Sequence, residues 1–596
     1  TDGDGSGDAD EGNVISGNTL DGVRIQGTSA TGNKIQGNLI GTAADGVTSR
    51  RNDNGVSILG AMNNTIGGAT AATGNLISSN ARSGVSIEGS GSGNVVQSNY
   101  IGTDVSGTLD RGNVGNGINI VDSRNNLVGG LAPVSGTAPG NLISGNNGSG
   151  VFISSFFISG ASATGNTVQG NIIGLDVTGT VKLGNSGAGV AVSGGGVGTI
   201  IGGADAGLRN IISANVIGIN LSSGSVAASK NIIEGNYIGT DITGTIGLGN
   251  RFQGILISNS DHNIIGGTSP AARNLISANG TPGSSGGTGI TIFGAVAIGN
   301  QVMGNYIGTD VTGTLDLGNL ENGVSLGSFG SIVGGTTAGA GNLISGNNQH
   351  GVRISGGPET AHNIVQGNRI GTAADGVLPL GNGLHGVFLQ SDNNAIGGVA
   401  AEAGNTIAHN GGDGLFLSSG AGNAFLSNHF FANAGLGIDL GADGVTPNDT
   451  ADADTGANNL QNYPVLTAAL TTASAVAIQG TLNSLADSTF LLQFFANDLP
   501  DPSSHGEGQR LIGALTVTTD AGGNVSFSPM LPVALGPLQF VTASATRLDE
   551  QGSPIETSEF SEVRADVSLT KTDARDPAFV GQDLIYPLTV HNAGPF

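Results

Sequence analysis

Cysteine and tryptophan are absent, and aromatic residues make up only 4% of the chain. Without cysteine there is no disulfide staple, no thiolate metal site and no thiol nucleophile. Charge is scarce as well, at 11%, against roughly 25% in ordinary globular chains. It is also one-sided: 19 Lys and Arg stand against 44 Asp and Glu, for a net charge of −25. Nucleic-acid binding relies on basic side chains to neutralise phosphates, and anionic lipid relies on them too, so neither is an expected partner. No run approaches the ~20 apolar residues that a membrane helix needs. The opening TDGDGSGDADEG has no basic start and no apolar core, so it is not a signal peptide, and the chain does not begin with Met. The expectation is a mature product or a part of something longer. Glycine is abundant, 108 of 596 residues, but without the three-residue period of collagen. With 37% apolar residues the chain is not simply disordered either.

A repeat organises what is present. A block "IGT" or a close variant begins at Ile40, Ile101, Ile173, Ile238, Ile307 and Ile370. "IGG" or "VGG" begins at Ile66, Val128, Ile201, Ile265, Val333 and Ile396, and "NLIS" or a relative at Asn75, Asn141, Asn210, Asn274, Asn342 and Asn405. A fourth piece, G-V-x-I, recurs about every 32 residues from Gly22 to Gly437, fourteen times if a degenerate copy at Gly218 is included. Each piece is short, β-branched and bounded by Gly or Asn, which is a strand signature. No window shows a helical apolar period. Three short strands per turn at a near-constant step predict a solenoid of parallel β-coils whose Ile and Val point inward. One coil cannot bury them, but its neighbours do. Asn and Gly suit the corners because both tolerate left-handed backbone, and stacked Asn side chains are expected to form an amide ladder. At ~4.8 Å per strand step, about fourteen coils predict a rod on the order of 65 Å.

The strings "GNLISGN", "IGTDVTGTLDLGN" and "NGVSI" resemble the right-handed parallel β-helix repeats of large bacterial surface and secreted proteins. That resemblance implies right-handed coiling and an extracellular setting. The predicted fold class is all-β: a right-handed parallel β-helix of about 14 coils, followed by a small β-sandwich. The expected domains are an acidic N-terminal segment over 1–12, the β-helix over 13–440, an acidic linker over 441–462 and the sandwich over 463–564. Phe430 and Phe431 are expected to close the coil end. From Tyr463 the strings "AVAIQGTL", "TFLLQFFA" and "LQFVTASAT" alternate apolar and polar residues, which predicts about seven strands. This region looks like the immunoglobulin-like module that often follows such β-helices. Residues 565–596 resemble the start of a conserved surface-protein repeat domain. They are too few to bury a core, so that copy is expected to be cut short.

Three sets of residues are candidates for chemistry. In the long loops, Asp104, Asp176, Asp241 and Asp310, with Asp45 and Asp375 in a variant, either line up to meet Ca²⁺ or a glycan or cap their own turns. In the linker, Asp439, Asp443, Asp449, Asp452 and Asp454 are the metal candidates. "DTADADTG" loosely resembles a calcium loop but lacks its bidentate Glu. Asp2, Asp4, Asp8 and Asp10 form a further acidic run. For catalysis, the strongest constellation is His350, His385 and Asp413, each preceding a G-[VL] piece, with Arg353 close by. The same slots hold Asn54, Asn116 and Asn322 elsewhere, which makes them polar corner positions first, and no catalytic residue is assigned. No cofactor is assigned, and Ca²⁺ is the one ion for which a place is visible. The expected function is an extracellular structural or adhesive stalk or fibre at a bacterial cell surface, with glycans or further copies of itself as partners. The alternative is a polysaccharide-active lyase, hydrolase or epimerase with a groove on the β-helix face. Near-uniform coils and few aromatic residues favour the stalk, so an enzyme is the lesser expectation.

Overall fold

The structure is a computed structural model that describes residues 12–155, 163–223, 228–357, 360–400, 402–536, 539–565, 567–571 and 588–592. The acidic run Asp2, Asp4, Asp8 and Asp10 lies outside these residues, as does most of 565–596, where the strands Val567–Lys571 and Leu588–Asn592 pair antiparallel. The described chain is nearly all β. It divides into two compact units, residues 1–383 and 384–596.

In the first unit every third strand belongs to the same parallel sheet. One coil illustrates the pattern: Thr65–Gly67 (β1), Leu76–Ile77 (β2) and Val85–Glu88 (β3) each belong to a different sheet. Equivalent residues stack in register, Ile40 on Ile77 on Ile101 in the sheet of β2 and Ile58 on Ile87 on Ile120 in the sheet of β3. Ile66, Ile77 and Val85 are each 0% exposed, so the aliphatic residues of N-x-I and G-V-x-I form the interior columns. Counted among the described residues of both units, the three classes of parallel strand number 14, 14 and 13. The fold class is therefore the one the repeat predicts, a parallel β-helix followed by antiparallel sheets.

Asparagine holds the corners. Asn38, Asn75, Asn99, Asn141, Asn171 and Asn210 are buried. Each Nδ2 donates to the Oδ1 of the next residue in that series at 2.8–3.1 Å. A second ladder runs through Asn52, Asn80, Asn113, Asn146 and Asn185, and a third through Asn33, Asn64, Asn94, Asn126 and Asn166. The glycine of "IGT" is obligatory for another reason. Gly102 has φ +94, and a Cβ there would collide with the Ser144 carbonyl.

The second unit contains further parallel strands, among them Val387–Gln390, Leu415–Ser419 and Ile438–Leu440. It also contains two antiparallel sheets. One holds Val465–Thr471, Val476–Asn483, Asn524–Phe527 and Met530–Leu531. The other holds Thr489–Asn497, Arg510–Thr518, Phe540–Leu548, Pro554–Thr557 and Arg564–Ala565. Ile478, Leu482 and Phe527 of the first meet Phe490, Leu492, Phe494 and Val541 of the second in one apolar core. Two of the nine strands are only two residues long, too short for an alternation signal in the sequence.

The second unit begins at Leu384 and holds its coils, the last strand of which is Ile438–Leu440, together with the antiparallel sheets. Within the second unit the sandwich supplies acceptors to the last coil, so these coils cohere with it. Phe425 N–H donates to Thr557 Oγ1 at 2.8 Å, Ser427 N–H to Gln493 Oε1 at 3.0 Å and Asn433 N–H to Glu507 Oε1 at 2.9 Å. Leu440 N–H and Thr446 N–H donate to the two oxygens of Glu559, each at 2.9 Å. Phe430 is buried with its ring edge-on to Phe560, whereas Phe431 is half-exposed beside His409. The coil end is thus closed by the sandwich, with Phe430 alone of the two phenylalanines turned into it.

Candidate functional site

The loop aspartates turn inward upon their own loops. Asp104 Oδ1 accepts from Thr108 N–H and Leu109 N–H at 3.0 and 2.9 Å, and its Oδ2 accepts from Ser106 Oγ at 2.6 Å. Asp176, Asp241 and Asp310 repeat this pattern. Burial pushes Asp104 and Asp310 up, but these donors outweigh it and hold both carboxyls below the usual range. Asp45, where the Thr48 hydroxyl and amide donate, falls to about 2. The row is a set of turn staples. It leaves exposed hydroxyl pairs on the surface: Thr178 with Thr180, Thr243 with Thr245 and Thr312 with Thr314, each 2.6 Å apart.

Of the five linker aspartates, Asp449, Asp452 and Asp454 come together, each offering an oxygen within 4.8 Å of the others. The turn between Asp449 and Ala453 draws them close, with Ala453 N–H donating to the Asp449 carboxylate at 3.0 Å. Asp452 is buried and already accepts from Asn462 N–H at 3.0 Å and from Ser484 Oγ at 2.6 Å. Burial pushes it up to about 6. Burial and Asp449 push Asp454 up as well, and its Oδ1 is buried with no hydrogen-bond partner. Three close carboxylates, one with an orphaned oxygen, fit a divalent cation, because oxygen is the ligand Ca²⁺ prefers. Asp439 and Asp443 belong to a different group.

That group includes two of the catalytic candidates, His385 and Asp413. Asp413 Oδ2 lies 2.9 Å from His385 Nδ1, and Asp413 N–H donates to the same nitrogen at 3.0 Å. Asp413 Oδ1 accepts Leu436 N–H at 2.8 Å. The His385 ring centre lies 4.8 Å from that of Phe416, which is tilted against the Phe388 ring at 5.7 Å. Asp439 follows Phe416 in register. Burial, Asp413 and Asp443 push Asp439 up to about 7, and its Oδ1 is buried without a partner. The arrangement therefore brings together two carboxyl groups, one of them raised by burial, and an imidazole. His350 and Arg353 belong to the first unit, where Arg353 lies in strand Val352–Ser355 beside Ser325 and His350 N–H donates to Asn322 Oδ1 at 3.3 Å.

Sequence reasoning misses two groups. Glu507 and Glu559 are 7% and 2% exposed, and burial pushes each up to about 8. Neither falls in a repeat, so no period marks them. Asn458, read as linker, extends a corner ladder: Asn423 N–H donates to its Oδ1 at 3.0 Å. Fold and site together define a parallel β-helix protein with an acidic junction in its second unit. Comparison with known protein families and with curated proteins finds no match to this chain. Among the described residues no helix is long and apolar enough to cross a membrane.

Proposed function

We propose that this chain is an extracellular structural or adhesive element of a bacterial surface: a β-helix stalk that presents repetitive polar faces to glycans or to further copies of itself. The antiparallel module serves as an immunoglobulin-like spacer. The observation that supports this reading most is where the polar side chains go. Corner asparagines bond to corner asparagines, loop aspartates bond to their own loops, and what faces solvent is a repeated set of threonine hydroxyls. Polar groups committed to the scaffold favour rigidity over turnover, and equal coils suit head-to-tail contacts. Asp449, Asp452 and Asp454 would hold a divalent ion that stiffens the junction.

The test is a glycan array and sedimentation of the full chain. Glycan retention, or concentration-dependent assembly, is expected. A chain that retains no glycan and stays monomeric at high concentration ends the reading. The alternative, a polysaccharide-active enzyme, draws on Asp413 with Asp439, since a raised acid near a second carboxyl group is the pattern of glycoside cleavage, and on the Phe388 and Phe416 rings as an apolar surface for a sugar. Release of reducing sugar by the wild type, lost in Asp439→Asn, would favour it.

A further inference from the structure

Outside the first unit's interior a second apolar stripe runs beneath the long loops, along the sheet of β2. Tyr100, Tyr237 and Tyr306 occupy equivalent positions in it, paired in register with Leu76, Ile211 and Leu275. The three rings are held alike. A Cβ built on the neighbouring loop glycine, Gly107, Gly244 or Gly313, would lie 3.2, 2.9 and 2.9 Å from Cε2 of the respective ring.

Two of these rings are covered by a cation. Arg209 places its guanidinium 4.1 Å from the centre of Tyr237 and donates through Nε to the Gly235 carbonyl at 3.1 Å. Arg273 does the same at 3.8 Å from Tyr306, with Nε donating to the Gly304 carbonyl at 3.2 Å. Each arginine immediately precedes a ladder asparagine, Asn210 or Asn274. For Tyr100 the corresponding asparagine is Asn75, and the residue before it is Gly74. Ser98, two residues before Tyr100, stands where Gly235 and Gly304 stand. The coil cannot supply its own arginine, because a Cβ on Gly74 would collide with the Ser98 carbonyl oxygen. At this place there is a cavity of about 400 Å³ whose lining includes Gly74, Leu76, Ser98, Tyr100, Val105 and Thr137.

We infer that this cavity binds a guanidinium from outside, the arginine side chain of a peptide or protein partner. Its plane would lie on Tyr100 and an N–H would reach the Ser98 carbonyl, as Arg209 and Arg273 do within the chain. Leu76 and Val105 suit the methylene stem. A cation on an aromatic face is favourable, more so when partly desolvated, and the net charge of −25 attracts it. This inference goes beyond the stalk reading and does not rest on it.

Ligand-observed NMR on the full chain tests it, with N-acetyl-arginine amide as the probe and the citrulline analogue as its neutral isostere. The arginine compound is expected to bind and citrulline to be at least roughly fivefold weaker. Tyr100→Leu should weaken arginine by a similar factor, whereas Tyr100→Phe, which keeps an aromatic face, should retain it. In the Tyr100→Leu background, Arg209→Ala should restore binding by uncovering Tyr237. Far-UV circular dichroism checks that each variant is folded. Equal binding of citrulline, undiminished binding by folded Tyr100→Leu, or no restoration by Arg209→Ala would overturn the inference. A glycan-array failure would leave these outcomes untouched.

Discussion

A ladder asparagine does four jobs at once, which is why a short polar side chain sits among aliphatic ones. Asn141 Oδ1 accepts from both the backbone and the side chain of Asn99, while its Nδ2 donates to Asn171 Oδ1 and to the Val96 carbonyl. Asn141→Ala strands the buried backbone N–H of Asn99, whose Nδ2 keeps the Ile66 and Gln97 carbonyls as acceptors, and removes the side-chain donor of the Val96 carbonyl, at ~1–3 kcal/mol for each group left unsatisfied. A loss of about 3 kcal/mol in urea unfolding is expected, against almost none for the exposed Thr314→Ala. The buried glutamates of the second unit give a pH dependence whose sign follows from their direction. Glu507 and Glu559 rise to about 8 in the folded chain, so the folded state keeps protons that the unfolded chain loses from about pH 4.5. Their contribution is complete below that pH and is lost as pH rises through 8. The stability of the second unit should fall over this range, with the two glutamates adding about two protons to the slope and one of these lost in Glu507→Gln. Urea midpoints measured from pH 4.5 to 8.5 check this, and a rise in stability with pH would contradict the assignment.

Among elements, the long loops and the acidic turn show how the same residue type takes opposite roles. Asp310 accepts from the amides of its own loop and is held low. Asp452 is buried beside Asp449 and Asp454 and is held high. An Asp in an isolated turn has donors enough, whereas an Asp among carboxylates lacks a counter-charge. A divalent ion would supply one. Millimolar Ca²⁺ should therefore raise the Tm of the second unit, on the order of 5 °C if the site is a hundredfold saturated, and a chelator should reverse the shift. Asp452→Asn should abolish it. The effect should be larger at pH 8 than at pH 5, because Asp452 must lose its proton to ligate. A Tm indifferent to Ca²⁺ at pH 8 would remove the ion from the account. The sequence places all five aspartates in one acidic linker, although the string "DTADADTG" holds only the three that come together. Only the chain path separates Asp439 and Asp443 from the other three.

On the scale of the whole molecule, a solenoid is held by neighbour on neighbour, so its open end matters most. In the second unit Phe560 closes that end, edge-on to both Phe430 and Phe495, with Gly437 and Gly508 against its ring. Phe560→Ala should cost roughly 3–5 kcal/mol and expose the last coil to limited proteolysis before the first unit is cut. Simultaneous cleavage of both units would show that the ring is not a local closure. The columns of Ile66, Ile77 and Val85, the corner asparagines and the all-β class were legible in the sequence. They follow from local rules that repeat: β-branched residues seek burial, and Asn and Gly accept the corner backbone. Contacts between segments far apart in the chain were not legible, because no period records them. Tertiary structure alone decided that Glu507 and Glu559 would satisfy the last coil, that His385 and Asp413 would meet, and that Gly74 would leave Tyr100 without the arginine that covers its two counterparts.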